Sequence, residues 1–317
     1  MKHTYLIALD GSGPSMAATR YAAAMLPADR SEIVLFLVES DIPDSLWDIY
    51  SEPERLGSED ALMEWNRRQK QCFATILEAA RQTFVDAGFA RKHISIKMQK
   101  RKEGIARDIL SESTDGYAAV FAGRKGVTNL PRLPIGNISR RLVARIQQIP
   151  LVLVSESLET RHILIGFDNS RDSRRCLRLA ASLFADSDRY IHIRHIARTQ
   201  LPFPCPSHEV AAGILREAQS KDRYGKMESA LQKAAQILQD NHFRKDSIDC
   251  LIAEGYMNRS LGLLDIAEKN AWGTIMVGRR GLSRMQDFLV GRVGEKLVEL
   301  SRDQTIWIVP ENSTVWP

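Results

Sequence analysis

A glycine spacing that occurs twice constrains this chain more than any other feature. The first copy reads Gly123-Arg124-Lys125-Gly126, then nine residues, then Gly136-Asn137; the second reads Gly278-Arg279-Arg280-Gly281, then nine residues, then Gly291-Arg292. Each glycine stands 155 positions from its counterpart. Both copies follow an apolar run (Ala118 to Ala122; Thr274 to Val277) and lead into a helical pattern. A strand, a glycine loop and a helix start together suit an anion. Glycines let backbone N–H groups approach it closely, and the helix N-terminus adds partial positive charge. Two such arrangements predict a duplicated nucleotide-binding domain.

The earlier part of the chain repeats as well. Tyr5-Leu6-Ile7-Ala8-Leu9-Asp10-Gly11-Ser12 aligns with Ile163-Leu164-Ile165-Gly166-Phe167-Asp168-Asn169-Ser170, with Asp10 and Asp168 158 apart. The apolar runs from Ile33 to Val38 and from Ile191 to Ile196 keep the same separation. A change from 158 to 155 predicts a second copy three residues shorter in its middle, from a single length change. A separation sustained across several elements marks a duplication. With 317 residues there is room for two domains of about 150 each, expected over 1–157 and 161–317.

Short Val/Ile/Leu-rich runs predict strands near 4–9, 33–38, 94–98, 118–122 and 151–155, and again near 162–167, 190–196, 248–253, 273–277 and 304–309. Helical patterns fall near 14–26, 54–87, 105–114 and 137–147, then near 171–184, 208–242, 258–270 and 292–301. Strands alternating with helices predict an α/β fold. Each tandem domain is expected to be a five-stranded parallel sheet with helices on both faces, a flavodoxin-like three-layer sandwich. Glu156 to Thr160 is a short polar linker, and Pro43, Pro53, Pro202, Pro204 and Pro206 mark irregular loops.

In open parallel sheets, ligands bind at the carboxyl ends of the strands, where the order reverses. Asp10 and Asp168 end the first strand of each copy, and the glycine loops follow the fourth. In a doubly wound order these ends are expected to be neighbours. A carboxylate there can accept from a base or ribose; Asp-Gly-Ser and Asp-Asn-Ser are equally good turn formers. Arg124, Lys125, Arg279 and Arg280 could neutralise phosphate, or point to solvent.

Other features exclude competing classes. There is no Walker-type G-x-x-x-x-G-K-[ST], no G-x-G-x-x-G after a first strand and no G-x-S-x-G elbow. Cys72, Cys176, Cys205 and Cys250 form no C-x-x-C pair, and buried free thiols are expected. The net charge of +5 is spread along the chain, which disfavours a nucleic-acid role. No apolar run reaches the roughly 20 residues of a membrane span, and a cytoplasmic location is expected. His192 and His195, three apart on a strand, should face opposite sides and read as structural. Arg171, Arg174, Arg175 and Arg178 read as a solvated helix face.

Strand one ending in Asp, together with G-x-x-G-x₉-G, resembles the universal stress protein family. The likeness covers both halves, so the chain looks like a tandem member with an adenine nucleotide alpha hydrolase-like fold. The resemblance implies ATP or another adenine nucleotide as ligand, with Mg2+ as a companion ion. Asp10 and Asp168 would contact adenosine, and Val38 and Ile196 would present backbone to adenine. Gly123, Gly126 and Gly136, and Gly278, Gly281 and Gly291, would wrap ribose and phosphates, with Arg124 and Arg279 beside them. The family's ATP-binding pattern places Ser or Thr after the last glycine; here Asn137 and Arg292 stand there. The family also pairs domains through strand five, so an intramolecular domain pair is implied and a homodimer is compatible with it. The leading reading is a nucleotide-binding sensor or regulator with an unidentified protein partner, no membrane attachment and at most slow ATP hydrolysis. The alternative is a nucleotide-free interaction module.

Overall fold

The structure, a computed structural model, describes residues 2–39, 59–125, 135–156, 159–185, 187–198, 209–279 and 292–310, and only the backbone of residues 59–66, 198, 209–223 and 292. The chain divides into two units, Met1–Glu156 and Ser157–Trp316. The proline-bearing loops, Cys205, part of the linker and the start of the helix expected from 54 lie outside the described residues.

Unit 1 runs β1 (His3–Leu9), α1 (Gly13–Met25), β2 (Ser31–Glu39), α2 (Glu59–Asp86), β3 (Ile94–Lys100), α3 (Ile105–Glu112), β4 (Ala119–Gly123), α4 (Asn137–Arg145) and β5 (Leu151–Val154). Unit 2 repeats it: β6 (His162–Gly166), α5 (Arg171–Phe184), β7 (Tyr190–Arg198), α6 (Glu209–Asp240), β8 (Ile248–Tyr256), α7 (Arg259–Lys269), β9 (Thr274–Gly278), α8 (Arg292–Leu300) and β10 (Thr305–Val309). Strand order is β3-β2-β1-β4-β5 in one unit and β8-β7-β6-β9-β10 in the other, and the described pairings are all parallel. The three-layer α/β architecture is as expected. Its strand order is not the 2-1-3-4-5 of flavodoxin itself; β1 abuts β4 because the chain crosses over β1 after β3.

The central strands are unbroken apolar runs because both faces are covered. Tyr5, Leu6, Ile7, Ile33, Leu35, Phe121, Val152, Ile163, Leu164, Ile165, Ile275 and Trp307 are all buried. Aromatic rings fill the larger gaps edge to face: Tyr5 on Phe121 at 6.2 Å, and Phe184 on Trp307 at 6.2 Å. Serine starts the first helix of each unit. The Oγ of Ser12 accepts from Ser15 N, and that of Ser170 from Ser173 N, each at 3.2 Å.

The repeat is less regular than the glycine and aspartate spacings imply. β3 and β8 begin at Ile94 and Ile248, 154 apart, yet Tyr117 and Trp272 before β4 and β9 are 155 apart. Two length changes therefore separate the copies, where the glycine and aspartate spacings predicted one. One lies between β2 and β3 and their counterparts, the other between the start of α3 and β4 and their counterparts.

Cys176 is buried, as expected, whereas Cys250 is only half-buried and Cys72 is exposed on α2. Burial raises both inner thiols, that of Cys250 to about 11, so neither is a reactive thiolate at neutral pH.

At the amino end of the strands of unit 2, His192 lies 3.7 Å from Trp272, ring centroid to centroid, and nearly parallel to it. His192 shares a hydrogen bond with His162 (3.1 Å), and its Nδ1 lies 3.3 Å from an Asp249 oxygen that also pairs with Arg194. Burial holds the pKa of His192 below the ordinary histidine value. Asp249 opposes that shift, and Arg194 and His162 reinforce it. A depressed folded-state pKa means stability that is present above the unfolded value of about 6.5 and lost as pH falls below it. Thermal melts should show the protein losing stability between pH 7 and pH 5. His192→Gln should flatten that slope; an unchanged slope would show that His192 does not contribute.

Candidate functional site

The switch point of unit 1 lies between β1 and β4. Their ladder ends at Ala8 opposite Ala122, so Asp10 and Gly123 emerge side by side. In unit 2 the β6–β9 ladder ends at Gly166 opposite Val277, which brings Asp168 beside Gly278. The structure thus unites the aspartate and the first glycine of each copy. Gly126, Gly281 and Gly291 lie outside the described residues, and Arg292 is described by its backbone alone.

Each aspartate shapes the turn into the helix. Asp10 Oδ1 accepts from Ser12 N at 2.9 Å and from Ser12 Oγ at 2.6 Å; Asp168 Oδ1 accepts from Ser170 N at 3.0 Å. The residue between them is left-handed in both copies, Gly11 at φ +78° and Asn169 at φ +59°, and Asn is among the few side chains at ease there. The helix caps are the serines, not the aspartates. Asp10 Oδ2 has no hydrogen bond among the described residues, so one carboxylate oxygen can serve the turn while the other meets a ligand.

The first glycine of each loop has a structural duty of its own. A Cβ on Gly123 would lie 2.7 Å from the carbonyl carbon of Pro14 and 2.9 Å from Ser15 N; one on Gly278 would lie 2.5 Å from Asp172 Cβ and 2.8 Å from its carbonyl carbon. Both glycines press against the first turn of α1 or α5. The residues on either side of the unit 1 loop are joined: Gly136 N donates to Arg124 O (2.8 Å) and Ser139 Oγ donates to Gly123 O (2.8 Å). α4 starts from Gly136 with no side-chain cap, so its first amides remain for a ligand or water. Arg124 N and Arg279 N donate to Val154 O and Val309 O, at 3.0 and 2.7 Å.

The positive side chains divide. Arg124 and Arg279 are buried, which settles against the solvent-pointing alternative, while Lys125 is half-buried and Asn137 exposed. Arg171, Arg174 and Arg178 are exposed as expected; Arg175 is half-buried. Arg174 Nη1 donates to the carbonyl (3.0 Å) and side chain (3.1 Å) of Asn169, bracing the turn.

Val38 and Ile196 are buried at the ends of β2 and β7. The β1–β2 ladder stops at Leu9 and Leu37, so Val38 pairs only with Gln99 of β3. Its backbone groups on the β1 side are at the strand ends, where an adenine contact would need them. Sequence reasoning assigned His195 no functional part, yet it lies here too: its Nδ1 is 2.9 Å from Phe167 O, and Asp168 and Arg259 both influence its charge.

The universal stress protein family profile matches residues 1–155 and again 159–303. The chain belongs to the universal stress protein family. Its fold is similar to that of a universal stress protein from Archaeoglobus fulgidus DSM 4304, with 15% identity, 97% of this chain and 98% of that chain covered, and a TM-score of 0.61. A protein of unknown function from Pseudomonas aeruginosa PAO1 is similar at 12% identity, 98% and 93% coverage and a TM-score of 0.55. At these TM-scores and coverages the likeness is one of fold. No curated protein is similar enough to match.

The glycine contacts yield a direct test. Gly278→Ala forces a methyl onto helix backbone and should destabilise unit 2 by about 1–3 kcal/mol or more in denaturant melts. A neutral result would show that β9 can move away from α5 at little cost.

Proposed function

We propose that this tandem universal stress protein binds an adenine nucleotide, ATP or a relative, in one or both units, and acts as a stress-response sensor or regulator. The observation that carries the reading is the pairing, in both units, of an aspartate turn with the first glycine of the loop at a switch point. The aspartate accepts from the nucleoside. Amides of the loop and of the following helix start meet the phosphates, where backbone donors and the helix dipole favour negative charge. Among the described residues no group of three or more His, Cys, Asp and Glu converges to hold a metal, so Mg2+ would enter with the phosphates. Catalysis is at most slow hydrolysis, and the output is a change in the glycine-loop surface offered to a protein partner.

A nucleotide-free interaction module is the second reading. It is favoured in unit 1 by Asn137, which stands exposed where the family's ATP-binding pattern has Ser or Thr.

Asp→Asn separates the two, because Asn keeps the Oδ1 turn bond and replaces the outer acceptor with a donor. Calorimetric titration with ATP should show binding by the parent protein, weakened about tenfold or more by Asp10→Asn or Asp168→Asn in whichever unit is occupied. Absence of binding by the parent protein at millimolar ATP would favour the interaction module.

A further inference from the structure

The solvent face of α5 carries one sign of charge. The exposed side chains of this helix are those of Arg171, Arg174, Arg178 and Ser182, with Arg175 half-buried beside them. The matching positions of α1, 158 residues earlier, are Gly13, Met16, Arg20 and Ala24, and Ala17 matches Arg175. Unit 2 therefore gathers guanidinium groups in the first turns of this helix where unit 1 has Arg20 alone.

That face works against its own helix. Residues three and four apart are neighbours on a helix, so Arg171 meets Arg174 and Arg175, and Arg174 meets Arg178, like charge beside like. The first turn also holds the positive end of the backbone dipole, where a cation has the wrong sign. Burial, and next the charge of Arg178, hold the pKa of Arg175 below the ordinary arginine value. Asp172, the acid of the first turn, is buried rather than exposed on this face. Among the described residues, Arg174 donates only to the carbonyl and side chain of Asn169, both neutral, and Arg178 has no carboxylate partner. A face that costs stability in the free protein is explained by an anion that arrives from outside.

The size and borders of the face define that anion. At about 1.5 Å per residue, Arg171 to Arg178 span about 10 Å. Asp168 precedes the helix and the exposed Asp188 follows it, so the cationic stretch is bounded by acids. Each strand of a nucleic-acid duplex carries a phosphate about every 3.4 Å along the axis, and affinity grows with the number neutralised. This stretch would meet only a few before the flanking acids repel the next. A short run of carboxylates fits better, because each guanidinium offers a planar fork that one carboxylate meets with two parallel bonds.

We propose that the arginine face of α5 is a docking surface for an acidic segment of a partner protein, a short run of Glu or Asp whose carboxylates pair with Arg171, Arg174 and Arg178. Arg174 also braces the Asp168 turn through Asn169, so the docked segment lies at the rim of the unit 2 switch point. Docking does not depend on nucleotide binding. Its test is fluorescence anisotropy of the full-length protein with a labelled Glu-rich peptide and its Gln counterpart at physiological salt. The Glu peptide should bind and the Gln peptide should not. Arg171→Glu combined with Arg178→Glu should weaken binding about tenfold or more. Arg20→Glu combined with Lys92→Glu makes the same change of net charge on exposed residues of unit 1 and should leave binding within about twofold. Thermal melts should find the α5 variant at least as stable as the parent protein, since it removes like-charge contacts. The inference is overturned by absence of binding to the parent protein, by an equal loss in the unit 1 variant, or by a less stable α5 variant, which would show that the arginines serve the fold. Tighter binding of a single-stranded oligonucleotide, lost in the α5 variant, would overturn it in favour of nucleic acid.

Discussion

The contact of a glycine with the first turn of a helix is the constraint on which the rest of each unit depends. With Gly123 against Pro14 and Ser15, and Gly278 against Asp172 and Ser173, β4 and β9 end directly beside the starts of α1 and α5. That proximity makes the end of β1 or β6 and the end of β4 or β9 one place. The serine caps fix the angle of the helix, and the aspartate turn fixes the serine. Any side chain at the glycine would separate the parts that a ligand must touch together. The glycine thus has a packing duty whatever the loop binds, and a glycine variant that lost a ligand would not reveal whether packing or binding had failed.

Around this shared frame the two units have diverged in opposite directions. At the amino end, unit 1 buries Glu112 under Lys97 and Tyr117, with the Tyr117 hydroxyl donating at 2.5 Å. Unit 2 has Trp272 in the matching place, stacked with His192 and His162 and faced by Arg194, whose guanidinium carbon lies 5.6 Å from its ring centroid. At the carboxyl end, Leu37 and Ile105 give way to His195 and Arg259. A fold constrains its sites loosely; chemistry changes at strand ends while the ladders between them hold.

Much of this was legible in the sequence because the strands are buried on both faces and so read as unbroken apolar runs. Asp10, Gly123 and their counterparts were legible through repetition, which separates a pattern from chance. What escaped depended on contacts between distant residues. Spacing at the glycines and aspartates could not reveal a second length change between the start of α7 and β9. Charge alone said nothing about Arg124 and Arg279, which the structure buries. Cys72 falls on an outward position of α2, where composition predicted an inner one. Strand alternation placed His195 on the opposite face from His192. Nothing in that alternation joins His195 to the carbonyl of Phe167, 28 residues earlier.

Amide hydrogen exchange with and without saturating ATP would test the central claim most directly, since it reports on every backbone segment at once. Slowed exchange should appear at the starts of α1, α4, α5 and α8 and in the loops that precede them, with the amino-end strands around His162 and His192 unchanged. Protection confined to other surfaces, or none at a nucleotide concentration that saturates binding, would contradict a ligand site at the carboxyl-end switch point.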